Sequence, residues 1–244
     1  MKQVKMTVTE NSLLARDVYR LRLAGDASGI ERPGQFVNLL LEGFFLRRPI
    51  SVFDWTEDSL TLIYKTVGQG TAHMSRLSPG TELDVLTGLG NGYDTGLSGE
   101  KPLLLGGGVG VPPLYALAKK LREEGKQVRA VLGFRTAADA FGLTDFEALG
   151  CETAVTTEDG SLGRKGFVTD ALPDAYSFFY ACGPLPMLRA VWRTCKPSGQ
   201  LSLEERMGCG FGACMGCSIQ TQSGPKRICR EGPVFRKEEL PWND

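Results

Sequence analysis

The stretch Pro102-Leu-Leu-Leu-Gly-Gly-Gly-Val-Gly-Val-Pro-Pro113 divides the chain into two parts with different patterns. Its three leucines form a short apolar run, as expected of a buried strand in a parallel sheet. The glycines that follow predict a tight loop. The two prolines suit the first turn of a helix through residue 124, which Gly125 ends. The stretch therefore predicts a strand, a glycine-rich loop and a helix in succession.

After this stretch, strand-like and helix-like segments alternate. Strands are predicted over residues 128–134, 153–156 and 178–181, and helices over residues 143–149 and 186–194. Such alternation is typical of a doubly wound parallel sheet, in which a nucleotide lies at the carboxyl ends of the strands. The loop at residues 106–110 is the expected nucleotide position. It departs from the common dinucleotide fingerprint, because Val111 stands where a third glycine would be and no acidic residue ends the next strand.

Before this stretch, residues 1–98 consist of short apolar segments separated by turn residues. The clearest segments cover residues 4–9, 18–23, 36–41 and 60–67. Dipeptides such as Pro33-Gly34 and Pro79-Gly80 mark turns between them. This pattern predicts an antiparallel β-domain, either a small barrel or a sandwich.

Two motifs in the β-domain indicate chemistry. The first is Arg47-Arg48-Pro49-Ile50-Ser51, whose arginine fork suits a phosphate and whose hydroxyl suits a flavin ring. The second is Gly68-Gln-Gly70-Thr71, a glycine turn that enters a helix and can present free N–H groups to a pyrophosphate. Each motif alone also has an ordinary explanation, as a solvated arginine pair or a common strand-to-helix turn. His73, the one histidine of the sequence, is assigned no role.

The C-terminal region contains four cysteines in a metal-binding pattern. Cys209, Cys214 and Cys217 have the spacing C-x4-C-x2-C, and Cys229 follows at a distance, which is the arrangement of plant-type 2Fe–2S ligands. A structural zinc site is the alternative, although such sites usually have two closely spaced cysteine pairs. Disulfides fit less well, because the seven cysteines are an odd number and no secretory signal is present. The tail has few apolar residues and is expected to depend on the cluster for its order.

The composition excludes several classes of function. Basic and acidic residues balance at 28 each, so no electrostatic argument supports binding to nucleic acid or to an anionic membrane. No run of about 18 apolar residues occurs, which predicts that the chain does not span a membrane. Without a signal peptide, the protein is expected in the cytoplasm.

The ordered set of motifs resembles the ferredoxin–NADP reductase superfamily. The resemblance is carried by Arg48-Pro49-Ile50-Ser51, Gly70-Thr71, the glycine loop, and Cys182-Gly183-Pro184 at the end of a later strand. The four C-terminal cysteines narrow the resemblance to the electron-transfer subunits of class B dihydroorotate dehydrogenases, over essentially the full length.

This resemblance implies three regions: an antiparallel FAD-binding barrel over residues 1–98, a doubly wound NAD-binding α/β domain over residues 99–199, and a small 2Fe–2S region over residues 200–244. It implies FAD contacts at Arg48, Pro49, Ile50, Ser51, Ile63, Tyr64, Lys65, Gly70 and Thr71. The nicotinamide cofactor is placed near Gly107, Gly108, Gly110, Cys182, Gly183 and Pro184, and the cluster is ligated by Cys209, Cys214, Cys217 and Cys229. The superfamily's usual flavin motif has an aromatic residue where this chain has Pro49-Ile50. No side chain is expected to act as a catalytic acid or base.

The implied function is electron transfer between NADH and a partner. In the resembled family, electrons pass through FAD and the cluster to FMN in a catalytic subunit that converts dihydroorotate to orotate for pyrimidine biosynthesis, in a heterotetramer of two plus two subunits. The alternatives are a related flavin subunit serving a sulfhydrogenase or an electron-bifurcating transhydrogenase, and a zinc-bearing module without catalysis. NADH is favoured over NADPH by the resemblance alone, because Arg135 could either meet a 2′-phosphate or face solvent.

Overall fold

The computed structural model describes residues 1–242, and the last two residues of the predicted C-terminal region, 243 and 244, lie outside the described residues. The N-terminal part is a closed antiparallel barrel with the strand order β1-β2-β5-β4-β3-β6. Its elements are β1 (Lys2–Ala15), β2 (Val18–Ala24), β3 (Phe36–Leu40), β4 (Arg48–Trp55), β5 (Ser59–Lys65), α1 (Gln69–Met74) and β6 (Glu82–Leu89). The predicted β-domain is thus confirmed as a barrel, and β6 is an addition to the expected strands.

The barrel closes because β6 pairs with both β1 and β3, so no strand is left with an unpaired edge. Alternate residues of the strands point inward and form one apolar core, which includes Met6, Leu21, Leu39, Val52 and Leu62. Burial of these side chains is the main contribution to the stability of this part.

The second part is a seven-stranded sheet with the order β10-β9-β8-β7-β11-β12-β15. Its first six members run parallel and its last, β15, runs antiparallel to β12. The strands are β7 (Pro102–Gly107), β8 (Arg129–Phe134), β9 (Glu152–Thr157), β10 (Arg164–Lys165), β11 (Phe178–Cys182), β12 (Gly199–Ser202) and β15 (Val234–Arg236). The helices are α2 (Pro112–Glu123), α3 (Leu143–Ala148) and α4 (Leu185–Thr194). The predicted doubly wound sheet is therefore confirmed.

The C-terminal region contains a hairpin of β13 (Ser218–Thr221) and β14 (Gly224–Arg227) before it returns to the sheet as β15. Ile228, Phe235 and Leu240 are almost completely buried and share a core with strands of the sheet. Apolar packing anchors the last part of this tail, and the expectation that the tail depends on the cluster for its order stays a prediction. Strands β12 and β15 lie after residue 199 and still belong to the sheet of the predicted NAD-binding domain. The predicted domain boundaries after residues 98 and 199 stay predictions.

The barrel and the sheet pack directly on each other. Phe53 of the barrel stacks on Tyr115 of α2, with ring centroids 4.2 Å apart and an interplanar angle of 9°. Two ion pairs flank this stack, Lys119 with Asp54 at 2.9 Å and Arg20 with Asp145 at 3.2 Å. This contact fixes the two parts relative to each other and leaves a cleft between them. Within residues 1–242, no helix is long and apolar enough to cross a membrane.

Candidate functional site

The cleft between the barrel and the sheet has a volume of about 710 Å³. One wall comes from the barrel and the opposite wall from the carboxyl ends of the parallel strands. The lining includes nine of the predicted cofactor contacts: Pro49, Ser51, Lys65, Gly107, Gly108, Gly110, Cys182, Gly183 and Pro184. Motifs that are more than a hundred residues apart in sequence therefore face one cleft. The other six predicted contacts, which are Arg48, Ile50, Ile63, Tyr64, Gly70 and Thr71, lie outside its lining.

The glycine loop and the Cys182 turn touch each other at one end of the cleft. A Cβ at Gly110 would overlap the backbone carbonyl of Cys182, and one at Gly107 would overlap the sulfur of Met187. Glycine is required at position 110, because the two backbone segments approach too closely there for a side chain. Helix α2 starts immediately after the loop with Pro112 and Pro113 at its first two positions, which carry no N–H, so it is the positive dipole end of the helix that lies beside the loop.

Cys182 lies at the end of β11, in register with Gly106 of the neighbouring strand β7. Desolvation raises the pKa of its thiol to about 12, against a smaller opposite effect of Ser202 and Tyr93. The thiol is therefore protonated at neutral pH. It can contribute a small neutral surface to the cleft, but it is not a nucleophile.

The two barrel motifs meet beside α1. The Arg48 side chain lies so close to Gly70 that a Cβ at position 70 would overlap its guanidinium. The same guanidinium lies 4.8 Å from the ring centroid of Phe44 and donates to the Leu46 carbonyl at 2.5 Å. The Thr71 hydroxyl accepts from the amides of residues 67 and 68 at 2.9 and 3.2 Å, so it holds the start of its own helix.

Ile63 and Tyr64 belong to the protein core. They are 3% and 2% exposed, and the Tyr64 hydroxyl donates to Asn11 Oδ1 at 3.1 Å. Burial raises the pKa of Tyr64, so the phenol stays neutral. Their side chains face away from solvent, and only their backbone is available to a ligand, whereas Lys65 reaches the cleft.

The four C-terminal cysteines converge as two pairs. In the first, Cys209 Sγ accepts from the amides of Ala213 and Cys214 at 3.2 and 3.4 Å, and the Cys209 amide lies 3.5 Å from Cys214 Sγ. In the second, the sulfur atoms of Cys217 and Cys229 are 3.2 Å apart. A two-iron cluster with four thiolates needs such an arrangement, with two thiolates for each iron.

The pKa values of two of these thiols are shifted in opposite directions. Although burial acts to raise the pKa of Cys209, amide N–H groups of residues 211, 213 and 214 bring it down to about 6. Burial raises the pKa of Cys229 to about 12, and the neighbouring Cys217 adds to this effect. In residues 1–242, no group of three or more His, Cys, Asp or Glu side chains is arranged to hold a single metal ion. The donor set fits an iron–sulfur cluster.

Sequence analysis missed Arg227, which holds the cysteine loop together. Its Nη1 donates to the Gly212 carbonyl at 2.6 Å, and its Nε donates to Glu231 at 2.9 Å. Arg227 thereby ties the C-x4-C-x2-C loop to the turn that carries Cys229. The i, i+4 spacing of Arg227 and Glu231 around that cysteine was the available signal.

Comparison with known proteins supports the same interpretation. Residues 204–241, which contain all four cysteines, match the model of the iron–sulfur cluster binding domain of dihydroorotate dehydrogenase B. Residues 104–193 match the oxidoreductase NAD-binding domain. The dihydroorotate dehydrogenase B (NAD(+)) electron transfer subunit of Geobacillus sp. (strain WCH70) is 43% identical, over 98% of this chain and 99% of the relative.

The chain belongs to the dihydroorotate dehydrogenase B electron transfer subunit family. Another member, from Fusobacterium nucleatum, is 41% identical over 98% of this chain and 99% of its own length.

A solved structure of an NADH-dependent reduced ferredoxin–NADP oxidoreductase, an enzyme of flavin-based electron bifurcation, has the same fold. It superimposes with a TM-score of 0.88 and 32% identity, over 97% of this chain and 90% of that one. The barrel, the sheet and the C-terminal region thus recur together in an enzyme with a different reaction.

Proposed function

We propose that this chain is the electron-transfer subunit of a dihydroorotate dehydrogenase B, which moves electrons between NAD(H) and a catalytic subunit. The observation that carries the proposal is the single cleft in which barrel motif and glycine loop face each other. The cysteine loop lies against the same barrel, since Asn38 of β3 touches Cys209. The proposed sites for the nicotinamide nucleotide, the flavin and the cluster are thus neighbours in one molecule.

The cofactors implied are FAD, NAD(H) and a 2Fe–2S cluster. A flavin accepts a hydride from NADH and releases single electrons, which is the form that an iron–sulfur cluster carries. This explains how a chain with one histidine and no catalytic acid or base can take part in a redox reaction: the cofactors supply the chemistry and the protein supplies positions.

The residues divide into three groups by what they would hold. Pro49, Ser51 and Lys65 form the flavin side of the cleft, and Arg48 with the start of α1 is available to the flavin's phosphates. The glycine loop, the N-terminus of α2 and residues 182–184 form the side for the nicotinamide nucleotide. Cys209, Cys214, Cys217 and Cys229 are the proposed ligands of the cluster.

The proposed partner is an FMN-containing catalytic subunit that converts dihydroorotate to orotate, in a cytoplasmic heterotetramer of two plus two subunits. The names of the curated relatives, as electron transfer subunits of dihydroorotate dehydrogenase B, support a catalytic partner. The nicotinamide cofactor proposed for it is NADH.

The test is orotate-dependent NADH oxidation by the complex, purified anaerobically with its copurifying partner. We expect activity in the unmodified complex and its loss in Cys217→Ser, because the cluster loses one ligand. The matched control is Cys151→Ala, which removes a buried thiol that lies outside the cysteine loop. A preparation whose flavin is bleached by NADH but which never consumes orotate, even with an FMN subunit bound, would contradict the proposal and indicate another acceptor. A colourless zinc protein would contradict the redox function altogether.

A further inference from the structure

Asn38 is a buried polar residue in an otherwise apolar strand. Strand β3 has the sequence Phe-Val-Asn-Leu-Leu, and Asn38 is 1% exposed. Its side-chain Nδ2 donates to the backbone carbonyl of Cys209 at 3.3 Å. Its Oδ1 is buried and has no hydrogen-bond partner within residues 1–242. The reverse amide orientation would set Oδ1 against the Cys209 carbonyl oxygen, so the donor is the group that this contact uses.

Burying an amide with an unpaired acceptor costs free energy, and an apolar side chain would avoid that cost. Val37 and Leu39, the neighbours of Asn38 in β3, belong to the apolar core of the barrel, so the Asn38 side chain lies on the opposite face of the strand. Within residues 1–242, the one hydrogen bond of the Asn38 side chain is to the cysteine loop.

Gly210 shows that this contact is close. The residue next to Cys209 is buried and has φ of +77°, and a Cβ there would overlap Asn38 Nδ2. Glycine is thus needed both for its backbone conformation and for the approach of Asn38. The loop that carries the first cysteine rests directly on this side chain.

Asn38 is also a cross-strand neighbour of the flavin motif. In the β3–β4 ladder, Asn38 is in register with Pro49, the residue between Arg48 and Ile50. Arg47 further fixes this position, because it donates to the Asn38 carbonyl at 3.3 Å and pairs with Asp84 at 2.7 Å. One residue therefore joins the strand pair of the proposed flavin site to the first cysteine of the cluster loop.

We propose that Asn38 is a positioning residue for electron transfer between the flavin and the cluster. Its amide holds the Cys209–Gly210 segment on the β3–β4 strand pair and so fixes the separation of the two carriers. Electron transfer slows steeply as two carriers move apart, so loosening this contact slows the transfer without changing the reaction with NADH. The inference rests on the proposed function, since it requires electrons to pass from flavin to cluster.

The experiment uses the holoprotein under anaerobic conditions and separates two phases after mixing with NADH. Stopped-flow absorbance follows bleaching of the flavin, and freeze-quench EPR follows reduction of the cluster. In Asn38→Leu we expect the flavin to be bleached at the unmodified rate. The cluster should be reduced roughly tenfold more slowly, because misplacement of two reacting groups lowers the rate between them. The EPR g-values are expected to shift, because the Cys209 backbone loses its donor. Thr87→Val, which removes a buried hydroxyl from β6 in the same barrel, is the matched control and is expected to change neither phase.

Further variants at positions 38 and 210 test the contact itself and cover the case in which Asn38→Leu loses iron. Asn38→Ser, whose hydroxyl is too short to reach the Cys209 carbonyl, replaces Asn38→Leu if the larger change lowers the iron content. Gly210→Ala should itself slow cluster reduction, and Asn38→Ala in the same chain should restore part of the rate by making room for the new methyl group. Additive effects of these two changes would contradict a direct contact.

The possible results separate a failure of the proposed role of Asn38 from a failure of the proposed electron-transfer function. If Asn38→Leu, loaded with flavin and iron, reduces its cluster at the unmodified rate with unchanged g-values, only the role of Asn38 is overturned. If NADH bleaches the flavin of the unmodified protein but never reduces its cluster, the proposed function and the inference both fail.

Discussion

At the scale of single residues, the cleft depends on close backbone approaches that only glycine permits. Gly110 is the clearest case, because a Cβ at this position would overlap the Cys182 carbonyl where the glycine loop and the β11 turn meet. A methyl group there must push the two segments apart. The same argument applies to Gly210 against Asn38, at the other proposed cofactor.

We predict that Gly110→Ala weakens NADH binding. Overpacking of this kind costs about 1–3 kcal/mol, and about 1.4 kcal/mol corresponds to a tenfold change in Kd. Titration of the protein with NADH, followed by flavin bleaching, measures the change. FAD content should stay the same, because Gly110 lies on the opposite wall from the flavin motif. Unchanged NADH affinity would show that the loop is not part of the nucleotide site.

Cys182 provides a prediction on pH. Because desolvation raises its pKa from 9.0 to about 12, the folded protein holds the thiol proton more tightly than the unfolded chain does. The contribution of this thiol to stability is therefore complete below pH 9 and is lost as the pH rises towards 12. We expect iodoacetamide to leave Cys182 unmodified at neutral pH, as measured by mass spectrometry of the digested protein. Rapid alkylation at pH 7 would contradict a neutral thiol in the cleft.

At the scale of elements, helix α2 has two functions. Its N-terminus faces the nucleotide cleft, and Tyr115 on the same helix stacks on Phe53 of the barrel and meets Phe146 of α3 edge-on, with centroids 5.8 Å apart. One helix thus positions the nucleotide loop and also holds the barrel against the sheet. This couples the geometry of the cleft to the packing of an aromatic cluster outside it.

We predict that Tyr115→Ala destabilises the protein by about 2 kcal/mol, since it removes a half-buried aromatic side chain and its stacking. Tyr115→Phe is the matched control and should change the free energy of unfolding by less than about 0.5 kcal/mol, because the ring remains. Urea unfolding of both variants measures the difference. Equal destabilisation by the two changes would indicate that the hydroxyl, and not the stack, matters.

At the scale of the whole molecule, the C-terminal region has two parts with different sources of order. Residues 203–217 form neither helix nor strand in the described structure and are held by Arg227, Asn38 and the cysteines. The last part is anchored by β15 and by buried residues such as Phe235 and Leu240. Loss of the cluster should therefore affect only the first part.

We predict that removal of iron by a chelator accelerates tryptic cleavage at the exposed Arg206, but leaves β15 protected. The urea midpoint of the remaining protein should change little, because Met207 is the one residue of 204–216 that packs against its core. Limited proteolysis with mass spectrometry locates the cuts, and iron-loaded protein is the control. Early cleavage at Arg236 would show that the whole tail depends on the cluster.

The amino-acid sequence by itself determined the features that depend on short segments. The apolar run and glycines of residues 102–113 predicted the strand, loop and helix, because these choices are set by local conformational preference and periodicity. The cysteine spacing predicted the iron–sulfur site, because the four thiolates must come from a tight loop and one returning segment. Only the tertiary structure decided the closure of the barrel by β6, the packing of the tail, the stack of Phe53 on Tyr115, and the contact of Asn38 with Cys209. The last contact joins residues 171 positions apart, and no local pattern marks such a pair, since it arises only when two separately folded segments pack together.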